Sequence, residues 1–370
     1  MFWYLVICGM MMYPCMLLYV GKTKKVNTQL LTLQVSCILL WFFMAMRGQN
    51  VGVDTKFYSY VFQQLSHTPF LKVAKVVTYA TAEKRWTFNF EIGYRYYNRL
   101  VGYWSDWPQM ITITNSCLIF FLLYRVIRKS SKNYFLSIWL YLTLGIFQTE
   151  MNVARNAIAI FLCYDALDEM EKGNWQKYML LICFAALIHK SVLVFIPLYF
   201  LIKRPFCSNR CMSGMILLAL GCGIILSRFG AVIQSIATMG RGKYLTAENG
   251  KMESLMVGVF YLVVVLFIFF MMKKKERKDV FQKCPTGSWM FTMTLCCFGL
   301  NIGFKMASRV AALFGAYMII FIPDMLDKIE ENNRRQWISL CVGLGCGLQY
   351  ILRMAINNIG GTLPYSFFWQ

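Results

Sequence analysis

Three arginines stand directly beside long apolar runs: Arg47 follows one, and Arg155 and Arg309 each open one. The first turn of a helix already carries the positive end of the macrodipole and unpaired N–H groups, so a guanidinium added there suits an anion. Lys305 lies four residues before Arg309 and adds to it. The chain also carries groups that could take a proton from a hydroxyl, namely Asp54, Glu91 and His189. A cationic grip on a diphosphate with a hydroxyl activated beside it is the chemistry these types allow. Position alone leaves alternatives open, because arginines at span ends also snorkel to head groups and a lone histidine also caps helix ends.

The elements that must position these residues are membrane helices. At 58% hydrophobic residues and a mean hydropathy of +0.50, the chain exceeds the ~45–50% apolar share of soluble proteins. One span needs ~20 apolar residues, and the runs suggest about twelve transmembrane or re-entrant helices. The expected fold is therefore an all-α, polytopic integral membrane protein, a single transmembrane domain over residues 1–370 with no soluble domain. The opening MFWYLVICGMMMYPCMLLYV lacks a basic leader and a small-residue cleavage site, and reads as a first span. His189 and Lys190 separate LLICFAAL from VLVFIPLYFLI. A charge at mid-bilayer costs several kcal/mol, so the chain is expected to turn near His189.

The net charge of +21 does not point to nucleic acid, because the basic residues fall in short clusters between apolar runs. If residues 21–27 face the cytosol, the alternating cytosolic turns hold more than half of the 38 lysines and arginines, with KKKERKD at 273–279 the strongest anchor. Fourteen cysteines and two histidines yield no C-x-x-C and no metal-ligand spacing. No metal or cofactor is expected. Gly343, Gly345 and Gly347 suit close helix packing.

On this topology the unusual residues gather outside. The external loop 47–109 begins RGQNVGVDTKFYSY, and PFLKVAKVVTYAT then reads as an amphipathic helix lying on the bilayer. In FNFEIGYRYYNRLVGYWSDW, Glu91, Arg95 and Arg99 recur at helical spacing and form a stripe in which Glu91 could pair with Arg95. Aromatics here serve either as an interfacial belt or, like Tyr94 and Tyr97, as surfaces for sugar rings. A second external loop, 228–253, carries Arg241 and Lys243. Substrate contacts are thus expected from Arg47, Arg95, Arg99, Lys305, Tyr94, Tyr97 and Arg241. The catalytic set is expected among Asp54, Glu91, His189, Arg155 and Arg309. The closing NNIGGTLPYSFFWQ reads as a turn rather than a span.

Taken in order, RGQNVGVDTKFYSY, EIGYRYYNRL, NVARNAIAIFL, AALIHKSVLVFIPLYF, SRVAALFGAYMIIFIP and a terminal LPY resemble the EpsG family of Wzy-like exopolysaccharide and capsule polymerases. The resemblance covers most of the chain. It implies a GT-C-like, membrane-embedded glycosyltransferase of the bacterial plasma membrane. That enzyme joins undecaprenyl-diphosphate-linked oligosaccharide repeat units, donor and acceptor alike, on the external or periplasmic face. A flippase and a chain-length regulator are implied companions. The family's polar positions fall on Arg47, Asp54, Glu91, Arg155, His189 and Arg309. One departure is Asn156, where relatives often carry glutamine. The arginines would stabilise the leaving diphosphate, with Glu91, Asp54 or His189 as base. Two other classes are weighed against this one. A flippase for lipid-linked sugars would place its charges near the midplane, and a membrane O-acyltransferase would use His189 as its base.

Overall fold

The computed structural model describes residue 9 and residues 25–370, apart from 76–77, 81–84, 88–89, 203–208, 238–250 and 305. The expected first span, and the candidate residues Arg241 and Lys305, lie outside the described residues. The chain divides into two compact units, 1–196 with 344–370, and 197–343.

In the first unit, α1 (Lys25–Ala45) and α4 (Gln109–Ser130) are long apolar helices packed side by side. Between them run α2 (Thr55–Ser66), a 3₁₀ turn (Phe70–Lys75), a hairpin pairing Thr78–Ala80 with Arg85–Thr87, and α3 (Ile92–Val101). The helix expected over 69–81 is therefore replaced by a turn and a strand. The reason is composition: Thr78 and Tyr79 in one strand, and Trp86 and Thr87 in the other, are β-branched and aromatic residues that favour an extended backbone. After α4 come α5 (Tyr134–Thr143), α6 (Ile146–Asn152), α7 (Ala154–Glu171) and α8 (Trp175–Ile188).

The α7–α8 hairpin is the frame of the site. Gly173 takes φ +81, and the N–H groups of Gly173 and Asn174 donate to Met170 O and Glu169 O at 3.0 and 2.8 Å. This is a Schellman end, which closes the helix and turns the chain back along it. At the same end Asp165 accepts from Arg125 Nε at 3.0 Å and from Lys129 Nζ at 2.7 Å, fixing α7 to α4. The returning α8 stops at Ile188. His189 is extended, φ −152 and ψ 108, and a 3₁₀ turn, Lys190–Val194, leads into α9 (Phe195–Ile202). The chain thus breaks at His189, as its isolation between two apolar runs predicts.

The second unit holds α10 (Asn209–Ala237), α11 (Lys251–Met271), α12 (Pro285–Leu300), α13 (Met306–Gly315) and α14 (Met318–Asp327). Residues 228–237, read as loop from the sequence, continue α10 as helix. In the basic 273–279 segment, Glu276 is buried and accepts from Lys273 N at 2.7 Å, Glu330 N at 3.0 Å and Arg334 at 2.6 Å. A last helix, α15 (Asn332–Asn357), begins in this unit and ends in the first.

Four described helices are long and apolar enough to cross a membrane, and five if the pair α13–α14, bent by 43°, counts as one span. Shorter apolar helices, among them α5 and α8, accompany them. The protein is an all-α, multi-pass membrane protein.

Candidate functional site

The site grows from the open end of the α7–α8 hairpin. Arg155 is the second residue of α7, so its guanidinium stands where the helix dipole is positive. Glu91, the residue before α3, reaches it: Arg155 Nη1 donates to Glu91 Oε2 at 2.5 Å. The other carboxylate oxygen, Oε1, accepts from Lys190 N at 3.3 Å and lies 3.4 Å from His189 Nδ1. Three segments remote in sequence therefore meet on one carboxylate. All three side chains keep a margin open to the exterior, with exposures of 18% for Arg155, 12% for Glu91 and 26% for His189.

A glycine lets them meet. A Cβ at Gly93 would fall 2.7 Å from Leu187 Cβ and 2.8 Å from Leu187 O, so α3 lies flush on the end of α8 only because position 93 has no side chain. That contact sets Glu91 over the His189 break.

Aromatic rings form the wall. The Arg155 guanidinium lies 3.9 Å from the centroid of Phe90 and 5.7 Å from that of Tyr94, a cation–π arrangement. Phe90 stacks on Tyr58 at 5.8 Å, and Tyr94 contacts Tyr58 at 6.1 Å and Tyr97 at 5.7 Å. The Tyr58 hydroxyl is pushed up by burial, and Arg155 beside it opposes that shift. Asp54 precedes α2 and lies one turn from Tyr58, close enough for its charge to be felt there.

The electrostatics of Glu91 are decided by its partners. Burial pushes its carboxyl up, but the approach of His189 and the charge of Arg155 outweigh it and hold the group at about 2, against an ordinary 4.5. A carboxylate so firmly ionised is a weak base and a strong orienting group. Its place beside His189 Nδ1 leaves Nε2 as the imidazole nitrogen not facing Glu91.

Not every expected residue joins. Arg47 is buried, 3% exposed, and ties three segments together: it donates to Met44 O at the end of α1, to Thr55 Oγ1 at the start of α2 (3.4 Å) and to Met151 O before α7 (2.9 Å). It acts by fixing where α2 and α7 begin. Arg95 turns away and donates to Ala74 O at 2.8 Å, so the Glu91–Arg95 pairing expected from helical spacing is replaced by Glu91–Arg155. Arg99 lies over Tyr103, 4.1 Å from its centroid. Arg309 is the exposed fourth residue of α13, in the second unit. Sequence reading missed Tyr58, Phe90 and Gly93, although the density of aromatics in 57–60 and 86–97 was a signal for the first two.

The class of protein is now defined: a multi-pass helical membrane protein with an arginine, a carboxylate and an imidazole clustered against aromatic rings at a helix start. The chain belongs to the EpsG family, whose model matches residues 30–367, and that family is implicated in exopolysaccharide biosynthesis. No curated protein and no solved structure matches the chain.

Proposed function

We propose that this protein is a polysaccharide polymerase, a GT-C-like glycosyltransferase that joins lipid-diphosphate-linked oligosaccharide repeat units at the external face of the bacterial plasma membrane. The observation that carries this reading is the Arg155–Glu91–His189 cluster. It offers a cation for an anionic leaving group and an imidazole for a hydroxyl, set among aromatic rings that suit sugar C–H faces. Membership of a family implicated in exopolysaccharide biosynthesis supports the same substrate class.

In the proposed reaction a sugar hydroxyl of the acceptor repeat unit attacks the anomeric carbon of the donor. The C–O bond to the lipid diphosphate breaks, and undecaprenyl diphosphate leaves with the bonding pair. His189 Nε2 takes the acceptor proton, Glu91 orients the imidazole, and Arg155 stabilises the charge growing on the departing phosphate. Such preorganised stabilisation is commonly the largest single contribution to rate. Arg47 serves at one remove, by fixing the starts of α2 and α7.

The test is reconstitution of the full chain in lipid with a lipid-diphosphate oligosaccharide, reading product length. The wild type is expected to make longer chains. His189→Gln is expected to abolish elongation while the folded protein persists. Elongation by His189→Gln at the wild-type rate would overturn the role given to the imidazole.

A further inference from the structure

Around the cluster, the described residues leave a particular set of polar atoms buried and without hydrogen-bond partners: Arg155 Nε, Asn156 Oδ1 and Ser191 Oγ. They are not scattered. Asn156 follows Arg155 at the start of α7, and Ser191 is two residues past His189, on the turn 190–194 that packs against α7. A buried carboxamide oxygen and a buried hydroxyl each cost stability when left without a hydrogen bond. Arg155 Nε suits the phosphate of the reading given above, but a phosphate oxygen is an acceptor and does nothing for an amide oxygen. Asn156 Oδ1 needs a donor. The groups nearest a sugar-bound diphosphate that donate are the hydroxyls, or the N–H of an acetamido substituent, of the sugar itself.

Resting on the polymerase reading, we propose that Asn156 and Ser191 form the hydroxyl-reading part of the saccharide site. Asn156 Oδ1 accepts a hydrogen bond from the C2 substituent of the sugar that carries the diphosphate, and Ser191 Oγ bonds a second hydroxyl of the same ring. The two residues are specificity-determining rather than catalytic: they choose between sugars, while Arg155 acts on the leaving group whichever sugar is attached. A site built to pair with a hydroxyl rejects the analogue that lacks it, because its own buried group is then unpaired.

The experiment measures binding of three probes to the full chain in lipid nanodiscs: farnesyl diphosphate, farnesyl-diphosphoryl glucose and its 2-deoxy counterpart. The wild type is expected to hold the glucosyl probe about tenfold more tightly than the 2-deoxy probe, the worth of one hydrogen bond. Asn156→Ala is expected to hold both equally, with farnesyl diphosphate unaffected. Ser191→Ala is expected to weaken both sugar probes alike, and Arg155→Ala to weaken all three while keeping the preference between the sugars. Equal binding of the two sugar probes by the wild type, with farnesyl diphosphate bound, would sink the subsite and leave the diphosphate reading standing. Failure of the wild type to bind any of the three would remove the polymerase reading and the subsite with it.

Discussion

Arg47 and Arg155 occupy the same kind of place, a cation at the end of an apolar helix, yet their surroundings are opposite. The Nε and both terminal nitrogens of Arg47 face fixed acceptors on Met44, Thr55 and Met151, and its side chain is buried. Arg155 has one carboxylate, two aromatic faces and an Nε with no partner among the described residues. A guanidinium whose donors are matched by its own chain is a tie between segments. One held by a single carboxylate against aromatic rings, with a donor left over, is available to a ligand. Location at a membrane surface therefore does not identify a binding arginine; its complement of partners does.

That contrast can be broken most directly by alanine at each position. Arg155→Ala is expected to lower elongation on the order of 10²–10³-fold, the usual cost of losing a charge-stabilising donor, while protein level stays near the wild type and the thermal midpoint falls only by what the pair with Glu91 contributes. Lysine there is expected to restore only part, since it lacks the planar fork. Arg47→Ala is expected to do the reverse. Each buried acceptor it abandons costs about 1–3 kcal/mol, so folded protein in detergent should fall sharply, while the surviving fraction keeps much of its specific activity. If Arg47→Ala folds normally and loses activity as Arg155→Ala does, the distinction fails.

A smaller effect is expected from Gly93→Ala. The new methyl would fall 2.7 Å from Leu187 Cβ and 2.8 Å from Leu187 O, atoms that cannot swing aside, so α3 must shift bodily and Glu91 moves off His189 and Arg155. Such a shift is expected to cost about tenfold in rate, with little change in folded yield. The smallest effect concerns pH. Because the Glu91 carboxyl is held below its ordinary 4.5, at about 2, its contribution to stability is fully present above pH 4.5 and is lost as pH falls from there towards 2. The difference in thermal midpoint between wild type and Glu91→Gln should therefore shrink as pH falls below 4.5. A difference that grows as pH falls below 4.5 would contradict the pairing.

Some of this is legible in the sequence. Arg155 at a helix start and His189 at a break follow from where polar residues interrupt apolar runs, because the bilayer makes such interruptions costly. The partner of Glu91 did not follow. Helical spacing pointed to Arg95, four residues along, whereas the chosen partner is 64 residues away and is set by α3 docking on α8. Local rules rank neighbours on one helix and say nothing about a competitor brought by packing. The strands at 78–80 and 85–87 escape the sequence for a related reason: a basic, apolar segment fits an interfacial helix and a strand about equally. The fates of Arg47 and Arg155 diverge through contacts with Met151 and Glu91, which no reading of either arginine's own flanks contains.

The loop that Arg47 anchors is sewn to the far end of the chain. Gly48 N donates to Ser366 O at 2.8 Å, Gly52 N to Gly361 O at 3.1 Å, and Asn152 bridges Val53 N and Gly360 O. The unit bearing the site is accordingly discontinuous, and some 150 residues of the other unit are made before its last piece leaves the ribosome. Until residues 360–366 have been made, the segment ahead of α2 lacks its closing seam. The helices of residues 25–196 must therefore wait in the membrane, unseamed, while the intervening residues are inserted.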